Sequence, residues 1–185
     1  VLRAQIAEAR RALPEGVREI IVSHTFVAGG RSSESERTLE SAGGIEQVPP
    51  ECYRQASYVA RGHLHRPQEV ELPGGLLRYS GSILPFGFDE IGVEKSVTLL
   101  ELRWWGVEKL VELPLHPPRP LVVLHGSFDE LMQGDTSAAG AFVKLELTDS
   151  LPVPDAMTRL RRRYPQAVQL DWVNRRVLGD TERLG

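Results

Sequence analysis

Cysteine is almost missing from this chain: Cys52 is the only one in 185 residues. A single thiol excludes an internal disulfide framework and any zinc site built on cysteines, and it fits a reducing compartment. Lysine is scarce too, found only at 95, 109 and 144, and the other basic side chains are arginine. We read that bias as genome composition rather than function. The net charge of −3 leaves no global basic footprint of a nucleic-acid binder, although a local patch or bound metal ions can supply a positive field. No apolar run approaches the roughly 18 residues of a membrane span. The opening Val1-Leu2-Arg3-Ala4-Gln5 has the character of a helix interior rather than a signal peptide, and without an initiating methionine it suggests a fragment or a processed chain. No aspartate precedes Asp89. There is no internal repeat and no low-complexity segment.

What is present is ordinary for a globular protein: 41% hydrophobic and 25% charged residues, in a length suited to one domain with a smaller appendix. Leu2, Ile6, Ala9 and Leu13 recur at helical spacing before Pro14, predicting a helix over 2–13. Residues 18–23 read as a buried strand that delivers His24 at its C-terminal end. After Gly29-Gly30 the polar stretch 31–40 reads as a surface loop. Residues 50–56 suggest a short helix and 57–60 a strand, with Gly62 opening a turn that carries His63 and His65. Hairpins are expected over 68–72 with 76–80, and over 96–103 with 107–115 across Trp104-Trp105-Gly106. They argue for an antiparallel half-sheet.

His116-Pro117-Pro118-Arg119-Pro120, with three prolines in five residues, is the clearest linker. It divides the chain into 1–116 and 117–185. Beyond it, strand 121–124, helix 128–132, strand 141–147, helix 155–164 and strand 168–173 form a β-α-β-α-β module.

Gly62-His63-Leu64-His65 and the upstream His24 are the candidate chemistry. A metal-bound histidine must be held rigidly, with its second ring nitrogen tied to an acceptor, and strand ends give such support. Two histidines one residue apart can serve neighbouring ions, as two-metal phosphoester cleavage requires. A lone His-x-His is more often a pair of loop or core histidines; the preceding strand and glycine, and the third strand-end histidine, favour metal. Carboxylate is what the pattern lacks, since a binuclear site normally needs a bridging one.

The ordered runs Val22-Ser23-His24-Thr25-Phe26-Val27-Ala28-Gly29-Gly30, Ser33-Glu34-Ser35-Glu36-Arg37, Tyr58-Val59-Ala60-Arg61-Gly62-His63-Leu64-His65-Arg66-Pro67-Gln68, Arg78-Tyr79-Ser80-Gly81-Ser82, Glu90 and Lys95-Ser96 resemble the SbcD exonuclease family. The resemblance implies an α/β fold: the C-terminal half of a calcineurin-like metallophosphoesterase αββα sandwich followed by a small β-α-β-α-β capping domain. It implies that His24 and His63 bind one metal ion and His65 another. It further implies two Mn²⁺ ions, with Mg²⁺, Fe²⁺ or Zn²⁺ as alternatives.

The implied activity is 3′→5′ exonuclease on duplex DNA, with endonuclease cutting of single strands and hairpins, in DNA repair and recombination. The implied partners are the SbcC ATPase and a second nuclease subunit, in the bacterial cytoplasm at the nucleoid and away from membranes. The family's Asp-x-His, Gly-Asp-x-x-Asp and Gly-Asn-His motifs do not occur in this sequence. The expectation is therefore a C-terminal portion that is inactive alone and holds no catalytic residue beyond the metal ligands. Ile83 stands where the family commonly has proline.

Arg159, Arg162 and Arg163, with Arg161 between them, are candidate contacts to a DNA backbone, as is Arg66 beside the histidines. Residues 117–185 hold nine basic and nine acidic side chains, so only this local patch supports DNA binding. A solvated helix face near a C-terminus, which the macrodipole favours, is the more ordinary reading of the cluster. Trp104-Trp105 suits packing or a partner interface, Cys52 a small buried hydrophobe, and His116 and His125 structural roles. Two rival functions remain open at this point: a non-catalytic DNA- or partner-binding module, and a different calcineurin-like phosphodiesterase acting on a small nucleotide.

Overall fold

A computed structural model describes residues 1–33, 47–72 and 74–174. Most of the polar stretch read as a surface loop, including Glu34-Ser35-Glu36-Arg37, lies outside the described residues. The chain divides into two compact units, Val1–Pro117 and Pro118–Gly185, and each is a mixture of strands with few helices.

The first unit begins with α1 (Leu2–Arg11), which ends about two residues before the predicted Leu13. Its partly buried Leu2 and Ile6 rest on the core of the unit. Arg10 near its end forms a two-pronged ion pair with Glu19, at 2.6 and 2.8 Å, and also donates to the Arg54 carbonyl. Five-residue strands follow: β1 (Ile20–His24), β2 (Tyr58–Gly62), β3 (Gln68–Leu72) and β4 (Gly75–Tyr79). Residues 50–53 form a single 3-10 turn where a longer helix was expected. Cys52 is only partly buried, against the same core.

The sheet order β1-β2-β4-β3 corrects the expectation of an antiparallel half-sheet. β1, β2 and β4 run parallel, and only β3 is antiparallel. Burial explains the order. β4 brings the buried Leu77, Arg78 and Tyr79 and takes the interior, whereas β3 exposes Glu69 and Glu71 and takes the edge, where charge discourages further pairing. Because three strands are parallel, their C-terminal ends share one edge of the sheet. His24, the 63–67 turn and the 80–82 loop all leave from that edge.

β5 (Lys95–Arg103) and β6 (Gly106–Leu115) form the predicted second hairpin as a separate two-stranded sheet. At its tip Trp104 and Trp105 meet edge to face at 5.2 Å and are 80% and 58% exposed.

The second unit follows the predicted order: β7 (Leu121–Gly126), α2 (Phe128–Gln133), β8 (Phe142–Leu147), α3 (Ala156–Leu160) and β9 (Ala167–Trp172). The three strands form a parallel sheet in sequence order. α3 is only five residues long, half the predicted helix, because the chain breaks into turns at Arg161. α2 starts with a reciprocal cap: Ser127 Oγ accepts from the Glu130 N–H, and Glu130 accepts from the Ser127 N–H at 2.7 Å. Bonds from the Ser127 N–H and hydroxyl hold the Glu130 carboxyl below the usual range. Phe128, Leu131, Val143, Leu145, Leu147, Leu160 and Tyr164 make the core.

Candidate metal centre

His24 is the last residue of β1 and pairs in register with Gly62 at the end of β2. The imidazole lies across that glycine: a Cβ on Gly62 would stand 2.6 Å from His24 Nδ1. A side chain here would therefore push the His24 ring aside. The next residue, His63, has φ of 100°, a left-handed conformation that costs a non-glycine residue roughly 1–3 kcal/mol. The turn brings the His63 ring edge to face with His24 at a centroid separation of 5.5 Å, with Phe26 alongside at 6.2 Å.

That separation fits shared ligation. A metal–nitrogen bond of about 2.1 Å puts a ring centroid roughly 3.2 Å from an ion, so two imidazoles on one ion have centroids about 5 Å apart.

His24 is held from below. Arg61, on β2 and 3% exposed, donates to Ser23 Oγ, to Thr25 Oγ1, to the Thr25 carbonyl and to Tyr53 Oη. Its guanidinium lies 4.9 Å from the Tyr53 ring centroid and 5.7 Å from that of Tyr79. No carboxylate joins it among the described residues, and its Nε has no hydrogen-bond partner there. Tyr79 Oη accepts from the Val27 N–H at 2.8 Å and donates to the Thr25 carbonyl at 3.1 Å. Burial raises the Tyr79 phenol above its ordinary value, against the opposing pull of that N–H and of Arg61. The residues flanking His24 are thus tied to two neighbouring strands.

His65 is braced differently. Its Nδ1 lies 3.3 Å from Glu90 Oε1. The Glu90 side chain is fully buried, and it also accepts from the Phe86 N–H at 3.2 Å and from Lys95 Nζ. Lys95 spends its other two donors on the His65 carbonyl and Ser82 Oγ, both at 2.9 Å. The Ser82 N–H reaches the same carbonyl at 3.0 Å. Gly81, with φ of 81°, packs so closely that a Cβ would lie 2.9 Å from the His65 carbonyl oxygen and 2.8 Å from Pro67. The Tyr-Ser-Gly-Ser run thereby serves as the floor of the histidine turn. Phe86, 64% exposed, covers the His65 ring at 5.4 Å.

The three histidines therefore sit on one sheet edge, with His24 and His63 in contact and His65 on its own support. Among the described residues, no three His, Cys, Asp or Glu side chains converge as a complete metal cage. The imidazole donors fit a Mn²⁺, Fe²⁺ or Zn²⁺ site completed by further oxygen ligands.

The arginine candidates fall into two groups. Arg66 is engaged by the Asp89 carbonyl and, at 3.9 Å, by its carboxylate. Arg163 donates to the Gly134 carbonyl and is partly buried, fastening the turn after α3 to the end of α2. Arg159 is exposed over the Phe128 ring at 4.1 Å, and Arg162 is exposed. Arg61 and the roles of Glu90 and Lys95 escaped sequence reasoning. The available signal was an arginine inside an apolar strand and an acid–base pair five residues apart.

Residues 117–184 match the family model SbcD_C, described as a type 5 capsule protein repressor C-terminal domain. The chain is 33% identical over 172 residues to the SbcD subunit of the SbcCD nuclease of Bacillus subtilis (strain 168), covering 90% of this chain and 44% of that protein. The protein of the same name from Rhodobacter capsulatus is 35% identical over 173 residues, covering 86% and 42%. That from Staphylococcus epidermidis is 30% identical over 153 residues, covering 82% and 40%. The chain thus spans less than half the length of these curated relatives. By these matches the chain is similar over most of its length to the C-terminal portion of SbcD nuclease subunits, and residues 117–184 carry the SbcD_C domain.

Proposed function

We propose that this chain contributes His24, His63 and His65 to the binuclear metal centre of an SbcD-type DNA nuclease, which hydrolyses phosphodiesters in repair and recombination. The observation that carries the reading is the convergence of His24 and His63 at 5.5 Å beside the carboxylate-backed His65, at the C-terminal ends of the parallel strands β1 and β2. Two Mn²⁺ ions, or Mg²⁺, Fe²⁺ or Zn²⁺ in their place, would supply the Lewis acidity and an activated water. This chain's own part is to present imidazoles on rigid supports. Gly62 gives His24 room to lie flat, Arg61 and Tyr79 hold the Thr25 carbonyl that follows it while Arg61 also takes the Ser23 hydroxyl before it, and Glu90 orients His65.

Carboxylate and further ligands come, in this reading, from a segment carrying the family's Asp-x-His, Gly-Asp-x-x-Asp and Gly-Asn-His motifs. The substrates are duplex ends, hairpins and single strands. The partners are the SbcC ATPase and a second nuclease subunit, in the bacterial cytoplasm at the nucleoid. Among the described residues, no helix is long and apolar enough to cross a membrane. In the second unit the exposed Arg159 and Arg162 are the better candidates for a phosphate backbone, because Arg66 and Arg163 already serve internal carbonyls.

The test is Mn²⁺-dependent cleavage of a 3′-labelled duplex, by this chain alone and after addition of a segment bearing the three motifs. Cleavage that needs both pieces and disappears in His65→Ala supports the reading. Silence from the combination, with DNA still retained, would favour a non-catalytic binding module. Preference for a small phosphodiester over DNA would favour a different calcineurin-like enzyme.

A further inference from the structure

We infer that Glu90, backed by Lys95, is the positioning residue of His65: it fixes the ring so that Nδ1 carries the proton and Nε2 is the ligating nitrogen. The inference rests on the reading of His65 as a metal ligand, and it assigns a role to the Glu90 and Lys95 positions that sequence similarity leaves without one.

The geometry is unusually complete for a buried ion pair. Glu90 Oε1 faces His65 Nδ1 at 3.3 Å and the Phe86 N–H at 3.2 Å, and Oε2 faces Lys95 Nζ, with Ser82 Oγ at 3.4 Å. The three ammonium hydrogens of Lys95 match three acceptors: Glu90, the His65 carbonyl and Ser82 Oγ. Both side chains are essentially inaccessible, at 1% for Lys95 and 0% for Glu90. An ion pair at that depth costs desolvation energy and adds little stability over apolar packing of the same shape, so its presence calls for a role in positioning.

The pair meets His65 at two points, the ring through Glu90 and the backbone carbonyl through Lys95. Rotation about either side-chain torsion of His65 would break the first contact, and displacement of the turn would break the second. Because a carboxylate accepts, the proton in the His65–Glu90 bond belongs to Nδ1, which leaves the lone pair on Nε2. This is the carboxylate–histidine arrangement that orients metal ligands and strengthens their basicity. Glu90 also holds the Phe86 N–H, so the same carboxylate sets the loop that carries Phe86 over the ring.

The experiment is two-bond ¹H–¹⁵N correlation spectroscopy of the histidine rings in the full chain without metal, followed by Zn²⁺ titration. The wild-type chain should show His65 with Nδ1–H. Lys95→Ala alone risks unfolding, so the informative variant is the double replacement Glu90→Leu with Lys95→Met, which removes both charges and keeps the volume. It should fold, move the His65 proton to Nε2, leave the His24 ring unchanged, and weaken Zn²⁺ binding about 10–100-fold. A wild-type His65 protonated on Nε2, or a folded double variant with an unchanged tautomer, overturns the inference whatever the metal result. Equal Zn²⁺ binding by wild type and His65→Ala would instead overturn the metal reading, while the tautomer still judges the positioning.

Discussion

The two supports beneath the histidines solve the same problem with opposite chemistry. Under His24 lies Arg61, a buried cation whose described partners are hydroxyls, a carbonyl and the faces of two tyrosines. Under His65 lies Glu90, a buried anion neutralised by Lys95. The first support grips the two residues that flank its histidine, through the Ser23 and Thr25 hydroxyls and the Thr25 carbonyl, and leaves the ring resting on Gly62. The second grips the ring itself. A histidine can thus be fixed through the residues that flank it or by a direct bond to its Nδ1, and this sheet edge uses both.

The most disruptive way to break the symmetry is Lys95→Ala, which strands the Glu90 carboxylate in the interior. Loss of one member of a buried pair costs about 3–5 kcal/mol, so denaturant titration should show the first unit losing most of its stability. The double change Glu90→Leu with Lys95→Met should cost far less. Arg61→Met is expected to be milder than Lys95→Ala, because no anion is left behind. It still abandons the Tyr53, Ser23 and Thr25 groups, at roughly 1–3 kcal/mol for those that find no water. Arg61→Met should also loosen His24 while leaving the His65 tautomer intact.

Gly62→Ala comes next. The added methyl overlaps the His24 ring, at a cost of about 1–3 kcal/mol for overpacking, and it should displace that ring from His63 more than it unfolds the chain. Loss of the His24–His63 contact by nuclear Overhauser spectroscopy at unchanged secondary structure would be the expected pattern.

The smallest effects come from pH. Tyr79 has its phenol raised by burial, so its contribution is fully present below the ordinary tyrosine value of about 10 and is lost as pH rises through the folded value. Glu130 has a lowered carboxyl, so its contribution is present above the ordinary glutamate value of about 4.3 and is lost as pH falls through the folded value. Alkaline titration should therefore loosen the first unit around the His24 support, and acid should fray α2 in the second. Ser127→Ala, worth about 1 kcal/mol as an N-cap, should abolish that acid step for α2 alone.

Much of this was legible in the sequence, and the reasons differ by region. The second unit alternates apolar strands with short amphipathic segments, so periodicity placed every strand; only the length of α3 was overestimated, because Arg161 to Arg163 continue the helical pattern in sequence but fold as turns ahead of Pro165. In the first unit the hairpins were visible, but the insertion of β4 between β2 and β3 was not. Parallel pairing across β2 and β4 depends on which strand buries its residues, and neither strand's local pattern states its neighbour. The histidines announced themselves through their spacing. Their supports did not, because a buried arginine, glutamate or lysine looks like any surface charge until the chain has folded around it. Arg66 and Arg163 show the converse: charges that suggested DNA contact are bonded to main-chain carbonyls.

The decisive measurement is Mn²⁺ titration of this chain followed by histidine ring resonances, with His116 and His125 as internal controls. Selective paramagnetic broadening of His24, His63 and His65, reduced at His24 and His63 by Gly62→Ala and at His65 by Glu90→Leu with Lys95→Met, is the predicted result. Equal broadening of all five histidines, or selective broadening of the two controls, would contradict the assignment of these three as metal ligands.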